Sequence, residues 1–245
     1  MGLFLISLQT VAQAGFKGFK QEQLKIKRVA TAYKKTNPIV SKLLTDKKIA
    51  ISSLELFFRV FKSESQVEMW AKDNNHKQFV LLKTYEICHA SGDLGPKRKE
   101  GDLQVPEGFY HFTEFNPLSS YHLSLYINYP NVSDRILSNK KEPGGLIYMH
   151  GNCVSIGCLA MTDEKIEEIY LLAMEACNLG QTKIPIHIFP TRFTEINWTK
   201  IQSENAADQA LINFWKDLKI GYDYFEKNKT LPKISVDGKG KYKVL

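Results

Sequence analysis

Residues 144–161 read GGLIYMHGNCVSIGCLAM, and the changes of character along this stretch decide the fold. Leu146-Ile147-Tyr148-Met149 is an apolar run with the length of a short buried strand. It delivers His150 at its end, followed at once by Gly151. A loop of glycine and small polar residues then carries Ser155, Gly157 and Cys158, and a helical pattern starts at Thr162. A histidine and a cysteine therefore flank a tight loop between a strand and a helix, where rigid elements commonly hold catalytic groups. The pair is read as a base and a nucleophile.

The chemistry explains why these residue types belong together. A free cysteine has a pKa of about 8.5 and is only a few per cent thiolate at neutral pH. A neighbouring imidazole can take the proton, and the positive end of a helix beginning just after Cys158 would favour the anion. Gly157 lets backbone amides approach a carbonyl under attack, so the Gly157 and Cys158 N–H groups are the expected oxyanion donors. The Gly151 carbonyl is expected to orient the imidazole. Spacing alone leaves open the alternative of a buried structural cysteine.

His150-Gly151 followed by Ser155-Ile156-Gly157-Cys158 resembles the signature of YkuD-type L,D-transpeptidase catalytic domains. Those domains use the last cysteine as an acyl-enzyme nucleophile on peptidoglycan stem peptides. The block is most similar to that of the YafK-type branch. The resemblance extends to Tyr85-Glu86-Ile87-Cys88, Gly95-Pro96-Lys97, Gly101-Asp102, Pro106-Glu107-Gly108-Phe109-Tyr110, Phe214-Trp215 and Gly221-Tyr222-Asp223-Tyr224-Phe225. It runs from about Leu54 to the C-terminus. Two positions depart from the wider family: Ile156 stands where most members have a second histidine, and Ala160 where they often have an arginine. The gap between His150 and Cys158 is also shorter. These changes leave the nucleophile and base in role but remove groups expected to hold charged ends of the substrate.

The chain has 245 residues, 43% of them apolar, which suits one sizeable core with additions. No run approaches the 18 or more apolar residues of a membrane span. Residues 1–14, MGLFLISLQTVAQA, are read as a secretory signal with Ala12-Gln13-Ala14 as its cleavage site. Residues 15–50 form a basic N-terminal helical segment, 51–192 the catalytic domain and 193–245 a helical extension packed on it. The fold class is α+β, mostly β with flanking helices; the resemblance implies a β-sandwich or barrel core.

Export bears on the cysteines. Cys88, Cys153, Cys158 and Cys177 can pair in three ways in an oxidising compartment. Cys153 is read as a small filler or as a partner that oxidises with Cys158, and Cys177 as core. A zinc site from His150, Cys153 and Cys158 has no common structural spacing, so neither metal nor cofactor is expected. The formal charge is +7, with basic residues concentrated between Lys17 and Lys48. That pattern suits a solvated helix face or attraction to an anionic polymer. No nucleic-acid motif accompanies it.

Between the ends, short strands are expected at 54–61, 66–71, 79–88, 109–112, 123–127 and 184–189, the first three as a meander. Residues 129–143 are read as a polar flap. The loop 91–108 places Lys97 and Arg98 among turn residues, and family position makes both candidate contacts for a stem-peptide carboxylate. His89, His111, His122 and His187 are read as surface or packed side chains. Helices are expected from Thr162 to about Gly180 and over 206–218.

The function implied is that of a periplasmic cysteine enzyme acting on peptidoglycan stem peptides at the amide of meso-diaminopimelate. By that resemblance it would release wall-attached outer-membrane lipoprotein, without a cofactor, nucleic acid or transmembrane span. Cross-link formation or lipoprotein attachment by an L,D-transpeptidase is one alternative. A non-catalytic envelope-binding module with a Cys153–Cys158 disulfide is another.

Overall fold

The computed structural model of the chain describes residues 18–245; the expected secretory segment 1–14 lies outside the described residues. Two helices open the described chain, α1 (Phe19–Leu24) and α2 (Lys27–Asp46). Helix α2 buries Val29, Ala32, Thr36, Val40 and Leu44, a stripe at helical spacing that leaves its lysines outside. Strands β1 (Glu55–Phe61), β2 (Gln66–Lys72) and β3 (Val80–Glu86) follow as the expected antiparallel meander.

Next come β4 (Gly108–Asn116) and β5 (Ser124–Ile127), then helix α3 (Val132–Leu137) inside the segment read as a flap. Its start is a capping box: Asn131 and Asp134 exchange side-chain and backbone bonds. Strands β6 (Tyr148–His150) and β7 (Leu159–Ala160) bracket the histidine–cysteine loop. Helix α4 (Asp163–Asn178), capped by the Thr162 hydroxyl, leads to β8 (Ile184–Phe189). Helices α5 (Glu195–Glu204) and α6 (Gln209–Asn228) and the hairpin β9 (Ile234–Val236), β10 (Tyr242–Val244) complete the chain.

Eight strands form one mixed sheet in the order β3-β2-β1-β8-β4-β5-β6-β7. Only β1 with β8 and β6 with β7 pair in parallel. The α+β class is the expected one, with the β part a half-barrel-like mixed sheet whose outer strands β3 and β7 are joined by a bridge between His89, just after β3, and Ala160. One face is covered by α2 and α4, whose Val29, Val40, Ile166, Ile169 and Met174 share a core with Leu56, Met69, Leu125 and Ile186. The basic N-terminal helices are thus built into the main core.

The other face is covered only in part. Helix α6 lays Trp215, Leu218, Tyr222 and Phe225 on the β1, β4 and β8 side, against Phe57, Phe61, Phe109 and Phe189. Buried charges bind this layer to the sheet. Arg59 bridges Glu68 and Glu226, and the Trp215 indole donates to Glu107, which also pairs with Lys62. Among the described residues no helix is long and apolar enough to cross a membrane.

Candidate active site

The parallel pairing of β6 with β7 places the side chains of His150 and Cys158. Met149 opposes Leu159 and His150 opposes Ala160, so Cys158, one residue before β7, faces Tyr148. The Tyr148 amide donates to Cys158 Sγ at 3.5 Å, and Sγ reaches the Leu146 carbonyl at 3.7 Å. The thiol is therefore seated on the strand that carries His150 two residues further on. Side chains two apart on a strand share a face.

His150 is buried, and its Nδ1 lies 2.6 Å from the Gly151 carbonyl. A carbonyl only accepts, so Nδ1 carries the proton and Nε2 keeps the lone pair a base needs. The Gly151 N–H is shared by the carbonyls of Tyr121 (3.0 Å) and Leu123 (3.2 Å). A Cβ at Gly151 would come within 2.5 Å of Asp163 Oδ1 and 3.0 Å of the His122 Cβ, which is why a glycine follows the histidine. The Tyr121 ring packs on the imidazole with centroids 4.7 Å apart and planes 33° from parallel. Its loop is fastened by Arg28 of α2, whose guanidinium donates to the carbonyls of Pro117, Ser119 and His122. Neither residue carries a motif: both lie far from His150 in sequence and meet it only through the fold.

The cysteines pair differently from the expectation. Cys153 forms a disulfide with Cys88, Cα atoms 5.3 Å apart, while Cys158 and Cys177 are free. The chain after β3 runs back along β7, Cys88 and His89 both donating to the Ala160 carbonyl, and this sets Cys88 against the loop. Cys153 is thus neither filler nor partner of Cys158. Cys177 is buried in α4, where burial pushes its thiol up to about 11.

Ser155 shapes the turn before Cys158. Its Oγ accepts from the amides of Cys158 (2.8 Å) and Gly157 (3.2 Å) and donates to the Cys158 carbonyl at 2.7 Å. The two amides expected to cradle an oxyanion are thus directed at this hydroxyl. Gly157 has φ +128°, a conformation that only glycine adopts without strain.

The expected substrate cations have internal partners. Lys97 is buried, with Nζ 2.5 Å from Asp102 Oδ1 and 3.0 Å from the Lys99 carbonyl. Burial opposes the charge on Asp102, yet Lys97 and three backbone amides hold its carboxyl below the usual range. Arg98 donates to Asp134 at 3.2 Å and lies over the Phe214 ring.

Helix α4 begins at Asp163 with Thr162 as its cap, as expected, and so stands some way from Cys158. Residues Leu159 and Ala160 are used in pairing with β6, so the helix's first turn does not abut Cys158, and Asp163 accepts from the Asn152 amide at 2.9 Å. Burial accordingly dominates at Cys158. It raises the Cys158 thiol, against the Tyr148 amide and the charge of Lys97. It lowers His150, against the Gly151 carbonyl. Both shifts favour the uncharged forms, thiol and imidazole.

Among the described residues no three His, Cys, Asp or Glu side chains converge as a metal site. His122 Nε2 contacts Glu167 at 3.0 Å, and His187 is buried among Phe57 and Phe109.

The model of the family described as L,D-transpeptidase catalytic domain, YkuD, matches residues 57–188. A protein of Escherichia coli K12 named "Putative L,D-transpeptidase YafK" is 38% identical over 183 residues, 74% of this chain and 70% of its own length. The protein of the same name in Escherichia coli O157:H7 matches equally. Among solved structures, the helical cell shape determining protein Pgp2 from Campylobacter jejuni aligns with a TM-score of 0.46 and 16% identity, over 76% of this chain and 73% of that one.

Proposed function

The chain belongs to the L,D-transpeptidase catalytic-domain family of cell-wall enzymes, whose substrate is peptidoglycan, and on that premise we propose that Cys158 and His150 perform acyl transfer at a stem-peptide amide. The observation that carries this reading is the state of the sulfurs. Cys153 is tied to Cys88, which leaves Cys158 a free thiol, half-buried on the strand next to His150.

His150 Nε2 takes the proton from Cys158 Sγ as the sulfur attacks the carbonyl carbon. The tetrahedral intermediate collapses when the imidazolium returns that proton to the leaving amine. A thioester remains on Cys158. Water, deprotonated by the same imidazole, releases a free carboxylate and restores the thiol; an amine in place of water forms a new amide. Oxyanion stabilisation from Gly157 and Cys158 requires their amides to share or leave the Ser155 hydroxyl.

The bond cleaved in this reading is the amide at meso-diaminopimelate, and the amine released belongs to a wall-attached outer-membrane lipoprotein. The similarity to the YafK proteins supports it. So does Ile156, which is 80% exposed beside the nucleophile and offers a neutral surface where the wider family's motif has a histidine. Hydrolysis is favoured over transfer to an amine. A disulfide spanning 65 residues and anchoring the catalytic loop suits the periplasm, where such bonds persist. The signal segment 1–14 and the division into 15–50, 51–192 and 193–245 remain part of this proposal.

Mass spectrometry of lipoprotein-bearing peptidoglycan, treated with the protein or with Cys158→Ala, tests it. Cysteine-dependent release of peptide ending in free diaminopimelate is the expected result. Cysteine-dependent new cross-links would make the enzyme a transpeptidase, and no cysteine-dependent product would sink the reading. The alternative of a binding module built on a Cys153–Cys158 bond loses its premise, since Cys153 is bonded to Cys88.

A further inference from the structure

The uncovered face of the sheet carries a feature that the mechanism above does not use. Four residues stand side by side across four adjacent strands. Glu114 of β4 opposes Tyr126 of β5, and Tyr126 opposes Tyr148 of β6. Tyr148 in turn donates its amide to Cys158 Sγ at the start of β7. Directly opposed residues share a face. This face is opposite the one where Phe115 and Leu125, the next opposed pair, turn toward the helix-covered core.

The row is built like a binding surface. Its tyrosines are half-buried and packed together, ring centroids 5.1 Å apart. The Tyr126 hydroxyl is spent on the Tyr129 carbonyl, which leaves the ring for packing. Glu114 is exposed and has no ion pair among the described residues. By contrast, the cations Lys97 and Arg98 are already paired inside the protein. The open charge on this row is therefore negative.

Burial raises both phenols, and the Glu114 carboxylate adds to the rise in each. The exposed Arg135 of α3 is the cation that opposes this rise at Tyr126.

We propose that the row Cys158–Tyr148–Tyr126–Glu114 seats the amine-side partner of the substrate: a peptide that lies over the two tyrosine rings and places a lysine or arginine side chain at Glu114. Three interstrand steps of about 4.8 Å put that cation about 14 Å from the carbonyl attacked. An extended peptide spans this distance in about four residues. The inference rests on the acyl-transfer reading, and it adds the class of leaving chain that the site selects. Tyrosine faces suit such a partner, because they offer apolar area and attract cations. Glu114 is a positioning residue, remote from the reacting atoms.

The test uses two synthetic stem-peptide conjugates that differ only in the leaving peptide, with lysine or glutamine four residues from the scissile amide. Binding is measured by fluorescence anisotropy to the Cys158→Ala chain, and turnover with the unmodified protein. The lysine conjugate is expected to bind about two- to fivefold tighter at low salt, the range for an exposed ion pair, and to lose that advantage at high salt. Glu114→Gln removes the preference, and Arg135→Gln enlarges it. Equal binding of the two conjugates, or a preference that survives Glu114→Gln, overturns the proposal. If neither conjugate is turned over while the preference holds, the acyl-transfer reading fails and the row stands. If both are turned over equally and bind equally, the row fails and the acyl-transfer reading stands.

Discussion

At the scale of single residues, the site works through burial. His150 holds its proton on Nδ1 against the Gly151 carbonyl and is disfavoured as a cation; Cys158 is disfavoured as a thiolate. A neutral pair predicts the pH profile. The base is lost only when pH falls below the ordinary histidine value of about 6.5, so the acid limb of kcat/KM is expected below that value. The alkylation rate of Cys158 is expected to climb only above about pH 8.5. An acid limb centred at pH 7 or higher, or rapid alkylation at pH 6, would show a resting imidazolium–thiolate pair instead.

Tyr121 supplies a second prediction. Its stacking on His150 is worth about 1 kcal/mol, so Tyr121→Ala should lower kcat three- to tenfold with KM little changed. Tyr121→Phe keeps the ring and should keep the rate. A KM effect in both variants would make Tyr121 a substrate contact and not a support for the base.

Elements were legible wherever a local pattern was strong. The patterns read at 54–61, 66–71 and 184–189 became β1, β2 and β8, and Thr162 capped its helix. Helix α5 gave no such signal, because it buries only Ile201. Helix α3 was hidden in a polar segment whose information lies in the cap, Asn131 with Asp134, and not in apolar periodicity.

The site divides in the same way. His150, Cys158, Ser155 and Gly157 sit in one contiguous motif and are placed together. The disulfide partner of Cys153, the fastening by Arg28 and the row from Cys158 to Glu114 are products of strand order, which a single sequence does not encode locally.

The disulfide can be tested at this scale. Closing a loop of 65 residues limits the unfolded chain by about 4 kcal/mol in the entropic account. Replacing Cys88 and Cys153 together by serine should lower the unfolding free energy by that order, move the denaturation midpoint down and loosen the loop before Cys158. Faster proteolysis between Gly151 and Cys158 is the second readout. An unchanged midpoint and cleavage pattern would mean that the bond constrains neither state.

At the scale of the whole molecule, one buried histidine sets a pH response. Burial, with the nearby Arg59 charge, pushes His187 down to about 3, and its Nδ1 has no hydrogen-bond partner. The unfolded chain takes up this proton near pH 6.5 and the folded one does not. Stability from this group is therefore full above about 6.5 and declines as pH falls toward 3, by up to about 1.4 kcal/mol per pH unit.

Asp134 works the other way. Burial raises its carboxyl to about 6 against Asn131, Tyr110 and Arg98, so the folded state holds its proton more firmly and gains stability as pH falls from 6 to about 3.8. The two slopes oppose each other, so the contribution of His187 is read as a difference. The unfolding free energy of the unmodified chain minus that of His187→Phe should fall steadily from pH 6.5 to 4. A difference independent of pH would exclude the histidine as its source.

The bond between Cys88 and Cys153 also raises a problem of biogenesis. Cys153 and Cys158 are neighbours in the chain from the moment of synthesis, whereas Cys88 reaches Cys153 only after β3 has passed β7 and the loop has closed. A short ring closes at smaller entropic loss than one of 65 residues. An oxidant meeting the unfolded chain therefore has Cys153 and Cys158 nearest to hand, and that pairing would consume the thiol of the proposed nucleophile. In a chain that forms that pair first, thiol exchange is the step that frees Cys158 again.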